Sequence, residues 1–186
     1  GFYYFKNIDG IGYWNEDMPR ISNANFAMAP PNLGYPSSEM VQDENYIMWM
    51  QDVDGDGEVT LNSDIMAYRT LGLSTMPTIT VDEFGRRFVA AAITTETYVN
   101  DVYNYKHIWA RGYENGIWGP FLDLNDNIVH IFDECIYPML ASTSDDNIHY
   151  FYQADVTPGL ALDDDHAYQE NSYIYGSLPK NDLLTG

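Results

Sequence analysis

Positive charge is what this chain has least of: eight Lys and Arg stand against 28 Asp and Glu, a formal charge of −20 over 186 residues. A surface of that sign repels phosphate backbones and anionic bilayers alike, which excludes nucleic acid as a partner. Cysteine occurs once, at Cys135, so no disulfide can staple the chain internally. The longest uninterrupted apolar run, Phe88 to Ile93, is too short to cross a bilayer, and membrane insertion is not expected. Catalytic signatures are missing as well. His107, His130, His149 and His166 show no His-Glu-x-x-His spacing, and neither a Gly-x-Ser-x-Gly elbow nor a Cys-x-x-Cys pair occurs. What remains can still fold: 45% apolar residues in a length suited to one domain argue for a packed core and against disorder.

In one place the carboxylates are spaced as ligands. Residues 52–64 read Asp-Val-Asp-Gly-Asp-Gly-Glu-Val-Thr-Leu-Asn-Ser-Asp. Asp52, Asp54 and Asp56 alternate, Gly57 permits a sharp turn, Glu58 offers its backbone carbonyl, and Val59 is placed to anchor the loop to a core. Carboxylates crowded in this way repel one another unless a hard cation neutralises them. Calcium is therefore the expected cofactor, held by Asp52, Asp54, Asp56, Glu58 and Asp64, the last standing one place beyond the usual closing position at Ser63. A solvated Asp-Gly turn is the plain alternative. Tyr46 to Gln51, just before, reads as a strand, while Ile65, Tyr68 and Leu71, with Gly72 as a cap, predict a helix from Ser63 to Leu71. The segment resembles a dockerin calcium segment. Dockerins carry two such segments and this chain one, so the resemblance implies ion binding and not a cohesin partner.

Elsewhere the pattern is that of strands. Sixteen Tyr, eight Phe and four Trp fall in short runs punctuated by Gly, Pro, Asn and Asp, an all-β signature. The clearest hairpin runs from His107 to Tyr113, turns at Asn115-Gly116 and returns from Ile117 to Leu122. A weak repeat overlies it. Pro36, Pro77 and Pro138 each open a strand, acidic turn, strand unit whose second strand is centred thirteen residues later, at Trp49, Ala90 and Phe151. Such units describe β-propeller blades, and the expected fold is a partial propeller of about three blades. Residues 1–186 would form one segment of a longer polypeptide, with 52–72 as a calcium-loop and helix insertion and Thr95 to Asn104 as a long loop. A β-sandwich is the alternative.

Leu71-Gly72-Leu73-Ser74-Thr75-Met76-Pro77, Trp118-Gly119-Pro120-Phe121 and His130 to Pro138 are similar to segments of propeller proteins exported by the type IX secretion system of Bacteroidota. That resemblance implies a surface-delivered module, and millimolar-range extracellular calcium suits the acidic loop better than cytosol does. A lone cysteine is compatible with either compartment.

The expected role is structural or ligand-binding, with carbohydrate or protein as ligand and the remainder of the parent polypeptide or another subunit as partner. Aromatic side chains that escape the core can stack on sugar rings. The enzymatic alternative is a glycoside hydrolase, for which Asp133, Glu134 and Asp155 are the candidate acid and base. Five scattered arginines and the absence of Ser-x-Asp-x-Gly-x-x-Trp spacing speak against a sialidase. His149 reads as a strand-face histidine satisfied by a neighbour. Asp163-Asp164-Asp165-His166 is a solvated loop or a second cation site, although consecutive carboxylates cannot all face one ion as alternating ones can.

Overall fold

A computed structural model of the chain describes residues 10–13, 46–49, 73–101, 103–159 and 166–185. Over these residues the protein is all-β, its strands antiparallel and gathered into three sheets. Strand β1 (Gly10–Gly12) pairs with β2 (Tyr46–Trp49). The central sheet runs β3 (Ser74–Val81), β4 (Arg87–Val99), β5 (Asn104–Glu114) and β6 (Ile117–Trp118), with β7 (Leu122–Asp123) also on β5. A third sheet orders β8 (Glu134–Leu140), β9 (Asn147–Asp155) and β10 (Ser172–Pro179) as a meander, followed by a 3-10 turn at Lys180–Leu183.

The hairpins expected from Pro77 and Pro138 are present as β3–β4 and β8–β9, and they share a device. In each, register slips inside the first strand at an X-Pro pair: between Thr75 and Thr78 at Met76-Pro77, and between Ile136 and Met139 at Tyr137-Pro138. Met76 and Tyr137 have φ of 55° and 54°, a left-handed conformation that bulky residues rarely adopt. A bulge explains it, because proline has no N–H for the ladder and the residue before it must absorb the kink. The two bulges also touch, the Tyr137 N–H lying 3.3 Å from Met76 Sδ, and the Leu140 N–H lies 3.4 Å from Thr78 Oγ1. The inner edge of β8 is thus partnered by side chains of β3.

The β5 hairpin turns where expected. Asn115 and Gly116 both have positive φ, 52° and 87°, as a type I′ turn requires. Its return strand is broken, however. Trp118 pairs with Tyr113 and Leu122 with Ala110, so one extra residue is accommodated across Gly119-Pro120-Phe121, where proline cannot donate to the ladder. Gly119 cannot carry a side chain here, since a Cβ would collide with the Leu183 carbonyl. The expected loop at Thr95 to Asn104 is also corrected. β4 continues to Val99 and the connection is a tight turn, because the Asn104 amide donates to the Thr95 and Glu96 carbonyls at 3.0 Å each and replaces the ladder bonds that the widened strand pair loses.

Alternation along β4 and β5 places two cores on opposite faces of the central sheet. Phe88, Ala90, Ala92, Ile108 and Ala110 pack against Ile148, Tyr152, Ala154 and Cys135 of the third sheet. Val89, Ala91 and Ile93 pack against Ile47 and Met48 of the first. Each large side chain so buried contributes about 1.5–3 kcal/mol. The layers are also pinned by charge. Lys180, 3% exposed, sets its Nζ 3.3 Å from Asp82 Oδ2 and donates its backbone N–H to the Asp146 carbonyl at 3.0 Å, joining the acidic turns of both Pro-bulged hairpins. Among the described residues the sheets form an open stack, not a closed ring.

Candidate functional site

Asp52, Asp54, Asp56, Glu58 and Asp64 lie outside the described residues, as do the Ser63 to Leu71 helix, Pro36 and Asp163 to Asp165. Among the described residues no group of three or more His, Cys, Asp or Glu side chains is arranged to hold a metal ion.

The three carboxylates with hydrolytic potential come close in the fold, and each is engaged by the chain itself. Glu134 and Asp155 are cross-strand partners at the end of β8–β9. Glu134 is 1% exposed, and its Oε2 accepts the Lys106 N–H at 2.6 Å. Asp155 Oδ1 accepts from the Thr157 N–H and from Gln169 Nε2, both at 2.9 Å, closing the turn that ends β9. Burial pushes the Asp155 carboxyl above its ordinary value, against the pull of the Thr157 hydrogen bond, His166 and Gln169. Asp133 Oδ2 is 2.8 Å from His130 Nδ1. Capping and strand-linking are the roles these hydrogen bonds give Asp133, Glu134 and Asp155.

The histidines are similarly employed. His107 is fully buried, its Nδ1 2.7 Å from Asp123 Oδ2, its Nε2 3.2 Å from the Ile131 carbonyl, and its ring stacked on Tyr98 at 5.1 Å. It ties the turns that follow β7 to the start of β5, as Asn125 does by accepting the Ile108 N–H at 2.6 Å and donating to the Tyr152 hydroxyl at 2.9 Å. His166 faces the Ala167 and Gly159 carbonyls at 2.8 and 3.3 Å. His149 is the expected strand-face histidine with satisfied partners: Asp145 Oδ1 at 3.1 Å and the Tyr175 hydroxyl at 2.7 Å. The pairings His130 with Asp133 and His149 with Asp145 are short-range and legible as spacings, whereas His107 meets Asp123 only through the β5–β7 ladder. Cys135 is buried, and burial foremost drives its thiol far up.

A different surface stands out on the outer face of the third sheet. Phe151 and His149 on β9 alternate with the core residues Ile148, Tyr150 and Tyr152, and Tyr173 and Tyr175 on β10 alternate with Ile174. Tyr173 stacks on Phe151 at 5.5 Å with 14° between planes, and Tyr175 on His149 at 6.0 Å and 9°. The two stacks run along the same diagonal of the ladder, Tyr175 being paired with Phe151 and Tyr173 with Gln153. Both tyrosines are 68% exposed, and Met139, paired with Phe151 from the other side, is 63% exposed. The period-2 pattern of Ser172–Pro179 is the signal that would have marked this strand and its outward tyrosines in the sequence.

Comparison with known protein families, with curated proteins and with solved structures finds no match to this chain.

Proposed function

We propose that this protein is a secreted or cell-surface β-module, stabilised by one calcium ion, whose role is structural or ligand-binding and not catalytic. The observation that carries the non-catalytic reading is the engagement of Asp133, Glu134 and Asp155 in the hydrogen bonds that end and link β8 and β9. The calcium reading rests on the alternating carboxylates Asp52, Asp54 and Asp56 with Glu58 and Asp64, and delivery outside the cell follows from the calcium supply and from the resemblance to exported propeller proteins. Consecutive antiparallel meanders stacked face to face, two of them bulged at the same X-Pro position, support an arc of propeller blades over a plain sandwich. β10 pairs only with β9 among the described residues, so its other edge is where the remainder of a parent polypeptide or another subunit would pair.

Calorimetric titration of the intact chain tests the calcium half. One binding event is expected, and it is lost in Asp54→Ala; equal heats from the two proteins would refute the assignment. Because the ion binds only the folded loop, chelation lowers the melting temperature by linkage. A screen of aryl glycosides, with calcium and without, tests the other half: turnover that disappears in Asp155→Asn would establish the hydrolase instead.

A further inference from the structure

We infer that the outer face of the β8–β9–β10 sheet is a binding platform for neutral polysaccharide, centred on Tyr173 and Tyr175. This deepens the ligand-binding reading above and rests on it. The first argument is composition, judged against the faces that this chain buries between its own sheets. From Phe88 to Ile93 the two faces of β4 carry only Ala, Val, Ile and Phe, with Phe88, Ala90 and Ala92 on one side and Val89, Ala91 and Ile93 on the other. Where the inner face of the third sheet buries a tyrosine, Tyr152, its hydroxyl is paired with the Asn125 amide. The outer face instead offers two tyrosines, a histidine and Gln153 around Phe151. A further sheet laid on it would strip water from the Tyr173 hydroxyl and the Gln153 amide without returning hydrogen bonds, which costs about 1–3 kcal/mol for each unsatisfied group. A sugar ring brings both an apolar C–H face for the aromatic rings and hydroxyls for these groups.

Charge selects the class of sugar. The chain carries −20 overall, no Lys or Arg stands among Met139, His149, Phe151, Gln153, Tyr173 and Tyr175, and the carboxylate that the structure sets against His149, that of Asp145, adds to the negative charge at the rim. An anionic polysaccharide would meet the repulsion of the whole molecule with no cation to anchor it, and a neutral one meets none. The platform is also held in advance of binding. Asp145 Oδ1 and the Tyr175 hydroxyl occupy the two nitrogens of His149, so the Tyr175 ring is fixed both by a hydrogen bond and by its stack. Alternate residues on a strand lie about 7 Å apart, which sets the two tyrosines to engage successive rings of one chain. Fixing these side chains beforehand lowers the ordering cost of binding.

The test is affinity electrophoresis of the intact chain, in calcium, through gels containing soluble β-glucan, xylan, galactomannan or starch, with polygalacturonate as the anionic control. Retardation by at least one neutral polymer and none by polygalacturonate is expected, with affinity falling at least about tenfold in Tyr173→Ala/Tyr175→Ala. Urea unfolding of that variant, run in parallel, should give a midpoint near the parent's, so that lost binding is not lost folding. Migration unaffected by every neutral polymer, or retardation that survives the double substitution, overturns the inference. So does sedimentation showing a dimer that the double substitution dissociates, since a second copy would then occupy the face. Calcium heats measured on the same samples separate the two proposals: normal heats without retardation refute the platform alone.

Discussion

The two faces of the third sheet are made by the same strands in the same register, yet they answer to different demands. Inward, Ile148, Tyr152, Ala154 and Ile174 fill the space against the central sheet, and Tyr152 spends its hydroxyl on the Asn125 amide. Outward, Phe151, Tyr173 and Tyr175 are stacked but uncovered. A period of two thus lets the nine residues of β9 seal a core on one side and present stacked aromatics on the other. The carboxylates show a parallel division. Asp82 is buried between Arg86 and Lys180, and although burial pushes its carboxyl up, the hydrogen bonds from these residues and from the Phe84 N–H leave it below its ordinary value. Asp155 is the reverse case, burial leaving it above.

These contrasts can be broken by substitution. The largest effect is expected inside: Phe88→Ala opens a cavity at the centre of the main core and should cost about 3–5 kcal/mol in urea unfolding, with no change in polysaccharide binding where enough folded protein remains. Next comes the charged pin. Asp82→Asn should destabilise by about 3 kcal/mol at neutral pH, because it leaves the buried Lys180 ammonium without its counter-charge. The sign with pH follows from linkage. A carboxyl lowered by folding contributes its stability above its unfolded value, near about 4, and loses it as pH falls through the folded value, so the gap between parent and Asp82→Asn should close in acid.

Asp155→Asn should move the other way and by less. A carboxyl raised by folding is penalised once pH climbs past its unfolded value, and the penalty persists at neutral pH. The asparagine Oδ1 can still accept from Thr157 and Gln169, so the variant should equal or exceed the parent in stability at pH 7 and converge with it below about pH 4. A large loss of stability would mean that Asp155 carries an ionic contact that these hydrogen bonds do not represent. The smallest effect is expected outside. Tyr173→Ser removes one exposed cross-strand stack and should shift unfolding by no more than about 1 kcal/mol.

Much of this organisation could be read from the residues. Asn115-Gly116 dictated its turn because both positions tolerate positive φ, and Pro77 and Pro138 marked the two bulged hairpins because proline cannot serve a ladder. Thr95 to Val99 misled because a strand end satisfied by side chains has the polar composition of a loop. The outer tyrosines were countable but not placeable, since alternation fixes a face only after the neighbouring sheet is known. The engagement of Glu134 by Lys106, 28 positions away in the chain, had no local signal at all.

The central claim, that the outer face of β9–β10 is open while the inner face is sealed, is tested most directly by hydroxyl-radical footprinting of the intact chain read by mass spectrometry. Rapid oxidation of Tyr173 and Tyr175 together with protection of Tyr152 is the predicted result. Protection of Tyr173 and Tyr175 to the level of Tyr152 in the absence of any polysaccharide would mean that something covers this face, and would contradict the account.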